Sequence, residues 1–350
     1  MSNHARQTFD RDRKGEIDIF LGEPNEQVRE SMRAMMRGEG FRRMRTFMRF
    51  EDMVAAMNEA MPDLLILADD MHANVFQLIR DVRHFRFGRN PFILVTLMVA
   101  PENEANLKKA LMSGADDVLI KPVSPGRMLA RVQFFTFNRV PFIVTTDYVG
   151  PERRRSASGD RPSKIRQIQV VNTLKDKVDG KRVTTAEIAR AVERCQLDVM
   201  TARLDSHGLK LGWICNQILK AYEEHKVTKE IHDQILVLVS VLEDAGSTAK
   251  LIGEPELADI CNNMARQVEE LAESYEDATP EMLGTLRKLT RAFHLAKQST
   301  EKKFSTNVIP PDQAKPAPPR ETAAPPPPPP SDGAKGGDVT ISLDDLTKSA

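Results

Sequence analysis

The stretch from Pro91 to Pro122 constrains this chain more than any other. Phe92, Ile93, Leu94 and Val95 form an apolar run of β-branched and aromatic character that ends in Thr96, the pattern of a parallel strand buried on both faces. After a polar turn, Asn106, Leu107, Ala110 and Leu111 fall at helical spacing, and Gly114 supplies the stop. Val118 to Ile120 is a second short apolar run, closed by Lys121 before Pro122. Strand, helix and strand in this order predict a β-α-β crossover. Thr96 and Lys121 are then expected to place a hydroxyl and an ammonium at one carboxyl-end rim, where open α/β sheets bind ligands.

The preceding residues extend the same alternation. Ile17 to Leu21 reads as a first buried strand, with Glu23 in the turn after it, and Val28, Met32 and Met35 mark the inner face of a helix ended by Gly38 and Gly40. Phe50 to Met61 is a further helix, and Pro62 stops it before the apolar strand Leu64 to Ala68. Asp69 and Asp70 follow immediately, then a helical pattern at Val75, Leu78, Ile79 and Val82. Ser124 and Pro125 cap a last helix from Arg127 to Phe135. The expectation is an α/β fold over residues 15–138, a flavodoxin-like, doubly wound five-stranded parallel sheet.

Three stretches, PDLLILADDM, NPFILVT and GADDVLIKPVSPGRMLARV, resemble the receiver domain of two-component response regulators, the phosphoacceptor module of bacterial signalling. The resemblance implies that acids after the first strand and an aspartate after the third bind Mg²⁺, and that the aspartate accepts a phosphoryl group. It also implies that a threonine and a lysine contact that group and that the Lys-Pro bond is cis. Carried onto this sequence, the metal roles fall to Glu23 and Asp69, the acceptor role to Asp69 or Asp70, and the phosphoryl contacts to Thr96 and Lys121.

The departures from that pattern bear on mechanism. Pro24 stands where the second acid belongs, and proline brings no side-chain oxygen to an octahedral Mg²⁺ shell. Counted from Pro62 and Asp63, the acceptor position falls on Ala68, with Asp69 one residue late. Because strand side chains alternate faces, that slip turns Asp69 from the rim unless a bulge restores it. Val118 takes the place of the family's switch aromatic. The reading is a degenerate receiver kept as a docking surface, and the alternative is a phosphorylatable one that uses Mg²⁺.

Residues 139–164 read as a basic linker around Arg153, Arg154 and Arg155, with Phe142 to Thr145 as an added strand or packing flap. Over residues 165–300 strand signals vanish. Ile165 to Val178, Thr185 to Arg203, Leu211 to Glu224, Lys229 to Glu243, Glu256 to Tyr275 and Pro280 to Lys297 show helical spacing. Between them stand Gly180, Asp205 with Gly208, Gly246, Gly253 with Pro255, and Asp277 with Pro280. An all-α bundle is expected.

Parts of this region faintly resemble histidine phosphotransfer domains. DSHGLKLG sets His207 in an H-x-L-K pattern, and LEDAGSTAKLIGEPELADICNNM has the shape of the phosphohistidine hairpin with Leu242 in the histidine's place. Asp259 and Asn262 fall on one helix face, as the water-holding pair of response-regulator phosphatases does. A phosphotransfer or phosphatase helper is therefore a second alternative. A DNA-binding regulator is a third, although TTAEIARAVERCQLDVMTARL has Glu193 near the place of the glycine of a helix-turn-helix.

Lysine plus arginine and aspartate plus glutamate number fifty each, so no bulk field draws the chain to nucleic acid or membrane. Cys195, Cys215 and Cys261 are far apart and form no CxxC, which points to neither a disulfide framework nor a zinc site. The first residues are polar with no apolar core, and no run nears the roughly twenty apolar residues of a membrane span, so a cytoplasmic location is expected. Residues 301–350 read as a disordered, proline-rich spacer before DVTISLDDLTKSA, where Val339, Ile341, Leu343 and Leu346 share an apolar side and Ser342 and Asp345 form a capping-box pair. The whole predicts a phosphorelay component that acts as an interaction module and not as an enzyme. Its partners would be kinases or response regulators.

Overall fold

The computed structural model describes residues 11–101, 103–153, 166–181 and 183–306. After the single turn α1 (Arg11–Lys14) come β1 (Asp18–Gly22), α2 (Glu26–Gly38), β2 (Arg43–Phe47), α3 (Phe50–Glu59), β3 (Leu64–Ala68), α4 (Val75–Arg83), β4 (Leu94–Val99), α5 (Glu104–Met112), β5 (Asp117–Ile120) and α6 (Pro125–Phe137). The strands form one parallel sheet in the order β2-β1-β3-β4-β5, the flavodoxin-like arrangement expected of the crossover and its neighbours.

Alternate residues of each central strand feed two cores. Leu64, Ile66 and Ala68 join Ile19, Leu21 and Met98 beneath Met36, Met128 and Val132. Leu65 and Leu67 join Phe20, Val95 and Leu97 beneath Met53, Ile79 and Ala110 on the other face. With both faces covered, a central strand is apolar throughout. The edge strand β2 is different: Arg43 and Arg45 are exposed between buried Met44 and Phe47, which hid it from a search for continuous apolar runs. Caps fall where side chains predict them, Ser124 accepting from the Arg127 amide with Pro125 in the first turn. The Lys121–Pro122 peptide is cis.

Packing onto the sheet continues beyond residue 138. β6 (Phe142–Val144) and β7 (Val149–Pro151) form an antiparallel hairpin, and Phe142 makes an isolated bridge to Ile168. The hairpin is seated at the amino ends of β4 and β5 by buried arginines. Arg83 is fully buried, donating to Gly114, Pro91 and Ile93 carbonyls and to Asp116. Arg139 donates to the same Asp116 and to the carbonyls of Phe92 and Val171. Gly114 (φ 85°) and Gly150 let the two backbones touch, since a Cβ on Gly114 would strike the Val149 carbonyl. Residues 154–165, with Arg154 and Arg155, lie outside the described residues.

The helix expected from Ile165 shrinks to α7 (Thr173–Val178), because Ile168 is held in the bridge and Asn172 is the N-cap. α7 belongs to the sheet's core through Leu174 and Val178, and Lys177 reaches Asp18 and Asp63 at 2.8 and 2.5 Å.

The bundle comprises α8 (Thr185–Glu223), α9 (Lys229–Leu251), α10 (Pro255–Glu273) and α11 (Pro280–Thr306), closed in a ring by packing of α11 on α8. Leu211, Ile218, Ile235, Leu242, Leu257, Val268 and Phe293 share its core. Two expected breaks are absent: α8 runs through Asp205 and Gly208, and α9 through Gly246. Gly208 lies against Phe293 and Gly246 against Cys261 and Asn262, so both glycines serve close helix approach. Asp205 pairs with Lys297. The cysteines are free, with Cys215 and Cys261 buried, and burial pushes the Cys261 thiol up to about 12. Among the described residues no helix is long and apolar enough to cross a membrane. The proline-rich stretch and DVTISLDDLTKSA lie outside the described residues.

Candidate functional site

Glu23 follows β1, Asp69 and Asp70 follow β3, and Lys121 follows β5, so parallel pairing brings these four to the carboxyl edge of the sheet. Lys121 Nζ stands 2.8 Å from Asp70 Oδ1 and 3.2 Å from Glu23 Oε2. Glu23 is buried. Its Oε1 accepts from the Asn25 amide at 2.9 Å, whereas Oε2 approaches the ammonium without hydrogen-bond geometry. Burial alone would lower the Lys121 pKa, but the hydrogen bond to Asp70 and the charge of Glu23 outweigh it and the net shift is upward. The lysine is the cation held between these two carboxylates.

Asp69 faces elsewhere. Ala68 ends β3 with its side chain in the core beneath α2 and α6, so the next side chain turns to the opposite face. There Asp69 Oδ2 accepts from Asn106 Nδ2 of α5 at 2.9 Å and Oδ1 from the Ala100 amide at 3.3 Å. Glu23 and Asp69, expected as metal ligands, therefore have separate partners, Lys121 for the one and Asn106 for the other. Among the described residues no three His, Cys, Asp or Glu side chains gather closely enough to hold a metal. The donors present do not fit an Mg²⁺ shell: Glu23 and Asp70 share a lysine, Asp69 is bound to α5, and Pro24 has no ligand atom.

Thr96, expected as a phosphoryl contact, is placed inside a strand. β4 runs on to Val99, so Thr96 lies within the strand opposite Ile66 and Asp117 and is 1% exposed. Three residues of strand put it roughly 10 Å below the rim. The error came from ending the strand at its first polar residue, when Leu97, Met98 and Val99 carry it further.

His207, weighed as a phosphotransfer residue, is a buried side chain. It sits in the middle of α8, 1% exposed, and its Nε2 donates to Asp244 Oδ2 at 2.8 Å. Asp244 is also gripped by the Arg203 fork at 2.7 and 2.9 Å, and Arg203 Nη1 donates to His84 Nδ1 at 3.0 Å. Burial, with Arg203 beside it, pushes the His84 imidazole down to about 4, so it is a neutral acceptor at neutral pH. Burial alone would raise the Asp244 carboxyl, but the His207 hydrogen bond and the Arg203 charge hold it below its ordinary value. This chain of four side chains ties the end of α4 to α8 and α9, and no motif announced it because its members are distant in sequence.

Asp259 and Asn262 are both exposed on α10, with Asn262 lying over Gly246. The segment weighed as a helix-turn-helix is an uninterrupted part of α8 and contains no turn.

Residues 19–133 match the family model described as the response regulator receiver domain. That stretch is a receiver domain. It places the chain in two-component phosphorelay signalling, in which receiver domains interact with kinases and other signalling proteins. No curated protein matches the chain. Among solved structures that match, the response regulator DrrB of Thermotoga maritima, described as an OmpR/PhoB homolog, is 18% identical, with a TM-score of 0.30 over 53% of this chain and 89% of that one. At that score the likeness carries no argument.

Proposed function

We propose that this phosphorelay protein uses its receiver as a contact module and not as a phosphoryl acceptor. The observation that carries the reading is Lys121 bound between Glu23 and Asp70 on a rim whose strand-end position is Ala68. Phosphoryl transfer works by positioning and charge: a nucleophile, a divalent cation and a cationic contact must converge on one phosphorus. Here the carboxylate nearest the acceptor position is bound to α5, and the lysine fills the place between the other acids. The bundle, seated at the opposite edge of the sheet, supplies a second contact surface. A kinase or another response regulator in the cytoplasm is the partner this reading implies. Nucleic acid has little to recommend it, given balanced charge and a continuous α8.

The test is incubation with acetyl phosphate and Mg²⁺, read by intact mass on wild type, Asp69→Ala and Asp70→Ala. Folded wild-type protein should gain no labile phosphoryl adduct. An adduct that disappears in one variant overturns the proposal and names the acceptor.

A further inference from the structure

Between α8 and α9, closed at one end by the turn from β6 to β7, lies a groove of about 510 Å³ lined by Thr146, Lys210, His207, Val237, Ser240 and Asp244 among others. Leu236 and Val237 of its α9 wall are 45% and 43% exposed, and Trp213, one helical turn from Lys210 on α8, is 59% exposed. At its floor, His207 Nδ1 is buried and has no partner. With Nε2 engaged by Asp244, Nδ1 is the ring nitrogen left to meet a polar group in the groove.

The course of α11 points to the occupant. Arg287 pairs with Glu223, Thr290 lies beside Gly212, Phe293 beside Gly208, and Lys297 pairs with Asp205. α11 is therefore antiparallel to α8 and passes the middle of that helix, the stretch that carries the groove, before its own end. Residues 307–338 then precede the segment Val339, Ile341, Leu343 and Leu346, with Asp344 and Asp345 among them. At about 3 Å per residue a proline-rich spacer of that length reaches up to ~100 Å, far more than the groove requires.

We propose that residues 339–346 of the same chain occupy this groove, with their apolar side chains against Leu236 and Val237 and beside Trp213, their carboxylates toward Lys210, and a polar group of the segment on His207 Nδ1. The adverse charges are Asp244 and Asp147. Asp244 is already held by Arg203 and His207, and Asp147 is an exposed residue with a 3.3 Å ion pair to Lys210, readily exchanged for another carboxylate. Tethering supplies an effective concentration of about a millimolar, so even a weak site would be filled.

Trp213 is the chain's one tryptophan and the i+3 neighbour of Lys210 on α8, so a segment bound over Lys210 would lie beside it. Acrylamide quenching of its fluorescence should be at least twofold weaker in the full chain than in a variant carrying Ile341→Asp, Leu343→Asp and Leu346→Asp. A synthetic peptide of residues 338–350 should restore protection to that variant, and Val237→Asp or Lys210→Glu in the wild-type chain should expose Trp213 as the tail variant does. The protection should not change on dilution. Equal quenching in wild type and tail variant overturns the proposal. Protection lost on dilution overturns it too, because the groove would then hold the segment of another copy.

Discussion

The two edges of the receiver sheet treat charge in opposite ways. At the carboxyl edge, Lys121, Glu23 and Asp70 form a small cluster in which Asp70 is largely exposed and Glu23 Oε2 lacks a true hydrogen bond. At the amino edge, Arg83, Asp116 and Arg139 are buried together, with both guanidinium groups over the Phe142 ring, and Lys177 joins Asp18 to Asp63. Burial pulls the Arg83 guanidinium down to about 10, still charged at neutral pH. The edge where receivers do chemistry is loosely filled. The opposite edge holds the rest of the chain, and there Arg83, Arg139, Asp116 and Lys177 are all hydrogen-bonded. In this molecule buried charge fixes the position of one unit on another.

The comparison breaks most visibly at Asp116. Replacing it with alanine strands two buried arginines, and urea unfolding should register a loss of about 3–5 kcal/mol. The junction with the bundle should be acid-sensitive through His84. Its folded pKa of about 4 lies below the ordinary histidine value of 6.5, so its contribution is complete above 6.5 and is lost as pH falls toward 4. The loss is at most about 3 kcal/mol. A His84→Gln variant should flatten the pH dependence of the thermal midpoint across that range, and an unchanged slope would show that the contact is not made.

At the carboxyl edge the effects are smaller. Lys121→Met should cost about 1–2 kcal/mol, because Glu23 loses its cation but keeps the Asn25 amide. A loss as large as that of Asp116→Ala would erase the contrast between the edges. The exposed pair Arg166 and Asp198 should be nearly silent, Arg166→Ala changing stability by less than about 0.5 kcal/mol.

Much of the fold was legible because burial on both faces leaves a simple trace. Leu64 to Ala68 cannot be anything but a central strand, and Ser124 with Pro125 announces a helix start. β2 escaped because Arg43 and Arg45 alternate with apolar residues at an edge. Gly208 and Gly246 misled because glycine marks either a stop or a close approach, and only the neighbouring helix decides which. At the rim, strand parity is visible in Ala68 and Asp69, whereas the position of Thr96 depends on where β4 ends, which three more apolar residues determine.

The sequence by itself determined the central strands, the helices that flank them and the helical character of the second half, since periodicity and capping act over a few residues along the chain. The tertiary structure alone decided that Arg139 is buried, that Lys121 lies between Glu23 and Asp70, and that His84, Arg203, Asp244 and His207 join end to end. Charges interact through space and are screened within about 10 Å, so their partners are set by which elements the fold brings within reach.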